Sequence, residues 1–465
     1  MRLFRLARLG QLNLGSSICA LLVLFATAVI ASPAQTVTTI YSFDGPSMPE
    51  TLVQATNGSL YGATRAGGHY CKGRYYDGCG TLFKITLGGK VTMLHDFCSG
   101  GPWHCADGAQ PHSAMVQATN GKLYGIASGW GEFEEGPGTA FEITLDGELT
   151  TLHSFCSVQS ASGQCLDGFA PIAGLVQAID GNFYGTVAGG GANKFNDICS
   201  YSYVGGTGGC GTIFTMTSGG TLTTIYNFCA QTNCTDGASP LAGLVQATDG
   251  NFYGTTQQGG DANCTITFGL CGTVFKVTPS GTLTNLYSFC SKSNCADGAW
   301  PTALIQDADG SFYGATINGG TSTACENGCG TIFRVTASGV LTTLHSFDNT
   351  DGNSPSVPMQ ATDGNFYGTT SAGGAYGQGT IYKFTPDRTF TTLYNFCSQS
   401  GCADGSAPDG LIQDTNGNFY GTTFSGGTSG VCGGGCGTVY SLSVGLGPFV
   451  ETQTTTGKEG ATVKI

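Results

Sequence analysis

Seven copies of one short motif, [DN]-G-x-[FL]-Y-G, run the length of the chain, and they limit what it can fold into. The motif reads NGSLYG at Asn57, NGKLYG at Asn120, DGNFYG at Asp180 and again at Asp249, DGSFYG at Asp309, DGNFYG at Asp363 and NGNFYG at Asn416. Its tyrosines are Tyr61, Tyr124, Tyr184, Tyr253, Tyr313, Tyr367 and Tyr420, spaced 53 to 69 residues apart. Each unit offers four strand-forming segments. The unit around Tyr253 supplies AGLVQAT (Ala242–Thr248), an Asp-Gly turn, NFYGTT, then GTVFKVT (Gly272–Thr278), a Pro-Ser-Gly turn and TLTNLYSF (Thr282–Phe289). Asp-Gly and Asn-Gly are the strongest short hairpin signals, and the Thr, Val, Ile, Tyr and Phe around them favour sheet surfaces. No useful 3.6-residue periodicity appears after the N-terminal segment.

Four strands repeated seven times predict an all-β fold, a seven-bladed β-propeller of four-stranded blades. The phase of the repeat favours a closed ring over an open β-solenoid. After its first 34 residues the chain opens on a lone fourth strand, TVTTIYSF (Thr36–Phe43). It leaves its last unit on a third strand, GTVYSLS (Gly437–Ser443). The N-terminal strand is expected to complete the last blade, which removes both exposed edges. Blades packed face to face leave charged side chains few places to sit. The composition agrees, with 10% Asp, Glu, Lys and Arg and 77 glycines in 465 residues.

The N-terminus carries an export pattern. Arg2, Arg5 and Arg8 precede the apolar run Ile18–Ala31, and small residues follow. Residues 1–34 are read as a signal peptide, 35–447 as the propeller and 448–465 as a separate start. The apolar run is short for a membrane span. A net charge of −13 argues against nucleic acid and anionic membranes as partners.

Twenty cysteines remain once Cys19 is set aside with the signal. They fall into ten local pairs. Five lie between second and third strands: Cys71/Cys79, Cys199/Cys210, Cys264/Cys271, Cys325/Cys329 and Cys432/Cys436. Five lie between blades: Cys98/Cys105, Cys156/Cys165, Cys229/Cys234, Cys290/Cys295 and Cys397/Cys402. Loops lacking one member lack both, and an exported chain meets oxidising conditions, so disulfides are expected. The C-x₂-C spacing of zinc ribbons is absent, so no metal site is expected.

The spacing from the third-strand aromatic to the fourth-strand Phe is constant, as from Phe275 to Phe289. The stretch from the YG tyrosine to the next GT glycine varies from 12 to 27 residues. That loop and the blade-to-blade connection emerge on one face, because strands alternate in direction. Variable loops on a fixed scaffold suit binding. A D-G-x-x-P motif precedes most first strands (Asp107, Asp167, Asp236, Asp297, Asp351, Asp404), with a looser version at Asp44. Its carboxylates are read as bonding nearby backbone, with a cation site at the pore as the rival. His95, His153 and His345 take the slot held elsewhere by Tyr41, Tyr226, Tyr287 and Tyr394, and are read as packing residues. The YG tyrosines are read as inter-blade packing.

One sector departs from the repeat. His69, Lys72, Arg74, Tyr75, Tyr76 and Asp77 share one loop, Trp103, His104 and His112 lie in or near the next, and Trp130, Glu132, Phe133, Glu134 and Glu135 follow. Aromatics with mixed charge suit a glycan or protein ligand. Tyr75, Tyr76, Trp103, His104, Trp130, Glu132, Phe133 and Glu134 are therefore the candidate ligand-binding residues. Paired glutamates would also serve a hydrolase. Phosphate-binding glycine loops, nucleophile elbows and zinc-protease motifs are absent, so no catalytic residue and no cofactor are expected.

The run LVQATDGNFYGTT…GCGTVFKVTPSGTLTNLYSF resembles the GloVer tandem repeat of bacterial extracellular proteins with varied C-terminal anchors. The resemblance covers roughly residues 36 to 445. It implies export and surface display, and it supplies no catalytic residues. After Gly447, PFVETQTTTGKEGATVKI resembles the opening strand of an Ig-like IPT/TIG domain. The expected role is a secreted or cell-surface binding or display module. A propeller enzyme acting on polysaccharide, hydrolase or lyase, and a passive spacer are the alternatives.

Overall fold

The computed structural model describes residues 35–69, 78–99, 105–129, 137–193, 199, 209–260, 271–432 and 434–450. The strands form seven antiparallel sheets, one per repeat, in a closed ring. Blade 4 is typical, with strands Val245–Gln246, Phe252–Thr256, Thr273–Val277 and Leu283–Ser288 in that spatial order. Blade 7 takes Ser406–Gln413, Phe419–Ser425 and Thr438–Ser443 from the end of the chain. Its fourth strand is Thr36–Ser42, paired antiparallel with Thr438–Ser443. The expected closure is therefore the observed one. Among the described residues there is no α-helix, only three short 3₁₀ turns, Thr232–Cys234, Ser293–Cys295 and Ser400–Cys402.

The repeated motif is a self-contained hairpin turn. In every blade the Asp or Asn side chain accepts the N–H two residues on, as Asp249 does from Asn251 at 3.0 Å. In six blades the same side chain also meets the tyrosine hydroxyl four residues on, at 2.8–3.0 Å. The glycine between them has a positive φ, 74° to 90°, which L side chains rarely adopt.

Three contacts, repeated around the ring, join blade to blade. The YG tyrosines pack across the junction, as the sequence suggested. Tyr124, Tyr184, Tyr253 and Tyr313 stack on Phe183, Phe252, Phe312 and Phe366 of the next blade with centroids 4.0–4.3 Å apart. Such pairs add about 0.5–1.5 kcal/mol beyond their burial. The turn between third and fourth strands presses a glycine against the fourth strand of the preceding blade. A Cβ on Gly281 would lie 2.2 Å from the Ile225 carbonyl oxygen, and one on Gly89 would lie 2.6 Å from that of Ile40 at the closure. The third contact was not read from the sequence. In six of the seven VQAT-like segments the Gln reaches back and accepts a backbone N–H from the preceding blade. Thr56 donates to Gln117, Thr119 to Gln177, Ile179 to Gln246, Thr248 to Gln306 and Thr362 to Gln413. Thr415 donates to Gln54 across the closure. All six bonds are 2.8–3.0 Å.

First strands are shorter than expected. The seven-residue AGLVQAT segment contributes only Val245–Gln246. Blades 2, 3 and 4 carry one extra residue between the motif proline and the Gln (His112, Ile172, Leu241), and each has a two-residue first strand. Blades 5 and 7 lack it, and pairing there runs over eight residues, through a bulge, in Ala299–Gln306 and Ser406–Gln413. In blade 6 a second proline, Pro358, splits the strand into Asn353–Pro355 and Met359–Gln360.

Second strands are buried along their whole length in every blade, apart from the extra two residues at their ends in blades 5 to 7. Polar atoms there need partners. Five blades pair a second-strand Thr with a third-strand Thr hydroxyl at 2.8–2.9 Å, as in Thr256 and Thr273. In blade 3 Val187 replaces the first of the two, and the Thr212 hydroxyl is left buried without a partner.

Eight of the ten expected disulfides lie between described residues: Cys98–Cys105, Cys156–Cys165, Cys199–Cys210, Cys229–Cys234, Cys290–Cys295, Cys325–Cys329, Cys397–Cys402 and Cys432–Cys436. Cys79 and Cys271 are also disulfide-bonded, and their expected partners Cys71 and Cys264 lie outside the described residues. The short loops they close correspond to about 2 kcal/mol each in the chain-entropy estimate.

Candidate functional site

The motif aspartates settle as structural groups. Asp236 accepts the N–H groups of Ala230 and Gln231 and the Tyr226 hydroxyl at 2.7 Å. Asp297 and Asp404 repeat this with Tyr287 and Tyr394. Where histidine replaces tyrosine, the imidazole Nε2 meets the same carboxylate: His95 with Asp107 at 2.9 Å, His153 with Asp167 at 3.1 Å, His345 with Asp351 at 2.7 Å. The slot does pack, each ring lying edge-on to the Phe two residues on. It is also one half of a hydrogen-bonded clamp, which explains why only Tyr and His occur opposite these aspartates. Burial, then the bond to its aspartate, raises the Tyr226 hydroxyl pKa well above its usual value. Burial alone would raise Asp167, but bonds from His153 and Ser157 leave it below the ordinary range.

The loop residues singled out from the sequence, Tyr75, Tyr76, Trp103, His104, Trp130, Glu132, Phe133 and Glu134, lie outside the described residues. Of their neighbours, His69 is exposed and its Nδ1 contacts Asp96, while His112 is partly buried at the start of the inner strand of blade 2.

His112 belongs to a cluster that sequence reasoning did not assemble. First strands line the inside of the ring and approach one another closely: a Cβ on Gly243 would lie 3.1 Å from the Gly174 carbonyl oxygen, and one on Gly410 would lie 3.4 Å from Thr51. At the loop-bearing end of each first strand one position faces the preceding blade. Its backbone carbonyl accepts a threonine hydroxyl from that blade, as Ala242 does from Thr186, Thr302 from Thr255 and Glu50 from Thr422. Alignment of the repeats gives this position small residues in five blades: Ser113, Ala173, Ala242, Thr302 and Ser356. In blades 7 and 1 it holds Asp409 and Glu50.

The two carboxylates face each other across the ring closure. The Thr51 hydroxyl donates to Asp409 Oδ2 at 2.9 Å, joining blade 1 to blade 7. Arg65, just past the second strand of blade 1, places Nε 3.6 Å from Glu50 Oε1. Burial, reinforced by the charge of Asp409 and only partly offset by Arg65, holds the Glu50 carboxyl well above the ordinary carboxylate range. Burial, with the charge of Arg65 adding to it, pushes the His112 imidazole down to about 3. His112 makes no hydrogen bond to a described residue. Beneath Asp409, the Tyr440 hydroxyl is fully buried and has no partner among the described residues. The same site in blades 1 to 5 holds a phenylalanine, and Tyr382 of blade 6 donates to the Ser356 carbonyl at 3.2 Å. The mouth thus carries two carboxyl groups, one of them biased to its protonated form, a guanidinium and an imidazole biased to its neutral form, on three consecutive blades.

Fold and cysteine chemistry define a class: a disulfide-braced, tandem-repeat β-propeller with variable loops on one face. The chain belongs to the Gloeobacter/Verrucomicrobia repeat family, whose sequence profile matches residues 26–203, 196–326 and 321–464. The sequence matches no curated protein. Among solved structures it is similar in fold to a streptogramin B lyase (TM-score 0.52, 12% identity, covering 89% of this chain and 99% of that one). It is also similar to a virginiamycin B lyase of Staphylococcus aureus, a catalytically inactive histidine-to-alanine variant solved with quinupristin (TM-score 0.54, 12% identity, 88% and 99%). The extracellular domain of a hybrid two-component system of B. thetaiotaomicron is a third (TM-score 0.50, 12% identity, 88% and 40%). At these identities the likeness is one of fold.

Proposed function

We propose that this protein is an exported binding module that takes a glycan or a surface protein on its loop-bearing face, over the mouth of the ring. One observation carries the reading. Glu50 and Asp409 take, in blades 1 and 7, the position where the other five blades keep small uncharged residues, and Arg65 and His112 stand beside them. Nothing in the architecture requires ionisable groups there, since those five junctions close without them. Burying them costs stability, a cost that proteins typically bear at functional sites. Tyr75, Tyr76, Trp103, His104, Trp130, Glu132, Phe133 and Glu134 form the proposed rim, because they fall in loops of blades 1 and 2, which also supply Glu50, Arg65 and His112. Residues 1–34 act as the export signal in this reading, and 448–465 begin an Ig-like segment beyond the ring.

The test is co-sedimentation of the oxidised chain with insoluble polysaccharides and cell walls, alongside a glycan array. Binding that is lost on Trp103→Ala, Trp130→Ala and Phe133→Ala, with unchanged thermal unfolding, is the expected result. Binding that survives all three, or that no surface supports, removes the glycan reading.

A further inference from the structure

The cluster at the channel mouth has more chemistry than binding needs. Two carboxyl groups sit on facing inner strands in different surroundings. Asp409 accepts a hydrogen bond from the Thr51 hydroxyl at 2.9 Å. Glu50 meets the Arg65 Nε at 3.6 Å and is largely withdrawn from water, its side chain 15% exposed. Neighbouring carboxyls whose environments pull their proton affinities apart are how proteins assign one acid and one base. Beside them, the His112 imidazole and the buried Tyr440 hydroxyl have no partner among the described residues, so this is not a saturated structural network. The six D-G-x-x-P aspartates, by contrast, each accept two or more hydrogen bonds.

We propose that Glu50 and Asp409 form an acid–base pair that hydrolyses a glycosidic bond of a neutral polysaccharide laid across the channel mouth, with Arg65 and His112 holding the sugar hydroxyls. This rests on the binding reading above and adds a reaction to it. A net charge of −13 selects neutral chains over polyanions. In the step, the Glu50 carboxyl gives its proton to the bridging oxygen as the bond from that oxygen to the anomeric carbon breaks. A water oxygen forms the new bond to that carbon, and its proton goes to the Asp409 carboxylate. Glu50 is left ionised and Asp409 protonated. Exchange with solvent restores both, and no oxidant or metal enters the balance.

The oxidised full chain is incubated with cellulose, mannan and an insoluble β-1,3-glucan, following both co-sedimentation and release of reducing ends. Expected is release from at least one of them. Glu50→Gln and Asp409→Asn should each lower turnover a hundredfold or more while still co-sedimenting, and Glu50→Asp should recover part of the loss. The alkaline limb of the pH–rate profile should disappear in Glu50→Gln, a change that a merely structural role would not produce. Co-sedimentation without release of reducing ends overturns the acid–base pair and leaves the binding reading standing. Release that Glu50→Gln does not reduce overturns it as well. Absence of co-sedimentation with all three polymers overturns the acid–base pair and, with it, the polysaccharide reading of the site.

Discussion

The two faces of the ring obey different rules. On the face of tight turns every blade looks alike: the same Asx-type turn, the same glycine and, at six of seven junctions, the same glutamine capping the neighbour. On the opposite face loop length varies, disulfides come and go as pairs, and four ionisable residues break the inner ring in one sector. Repetition marks what holds the ring together. Departure from it marks where selection has acted on something else, at some cost to stability.

Four variants sharpen or break this contrast. The largest effect is expected at His112. Its pKa is held near 3 against about 6.5 in the unfolded chain. Between those values the unfolded state binds the extra proton, so stability falls as pH falls. The loss amounts to about 2–5 kcal/mol, the lower figure allowing for partial exposure. Glu50, with a raised pKa, pulls the other way above pH ~4, so the comparison is between variants rather than absolute curves. His112→Leu, which copies Leu241 of blade 4, should flatten the acid limb of a urea-unfolding series between pH 6.5 and 3. Were that variant to lose stability across the whole range, His112 would be a scaffold residue and the contrast would fail.

Next in size is the Cys229–Cys234 bridge. Replacing both residues with serine should lower stability by about 2 kcal/mol. Neighbouring blades should remain intact, as seen by hydrogen exchange at the second strands. Loss of protection all around the ring would mean that this face, too, holds the fold. The smallest effect belongs to the turn face, where Gln117→Ala removes one inter-blade hydrogen bond worth about 1 kcal/mol. Gln360 is the internal control. At its junction Ala308 N–H bonds the Asp307 side chain instead, so Gln360→Ala should cost less than Gln117→Ala in the same denaturation assay.

Most of the ring was legible because its rules are local. The Asp-Gly and Asn-Gly turns, the strand-rich segments and the phase of the repeat specify hairpins, blades and closure without long-range information. First-strand length was not: blades 2, 3 and 4 carry an extra residue between proline and Gln and pair over two residues, but blade 1 lacks it and also pairs over only Val53–Gln54. The Gln cap stood in every repeat, yet its role depends on a partner about 60 residues away. His95 and Tyr226 look like interchangeable packing until the aspartate facing each is placed. Glu50 and Asp409 lie at opposite ends of the sequence, and no spacing rule joins them. A column-by-column alignment of the seven first strands would have singled them out, as the charged members of a column of Ser, Ala and Thr.

Closure has a consequence for the order of folding. Six junctions join residues about 60 positions apart, whereas Thr415 and Gln54 are 361 apart. By loop-closure entropy the seventh junction costs roughly 2 kcal/mol more than any other to bring together. It should therefore form last and open first. Glu50 and Asp409 stand on either side of it. A chain folded as far as its sixth blade has nearly all of its scaffold and none of its acid–base pair, so chemistry at the mouth would begin only when the two ends of the propeller meet.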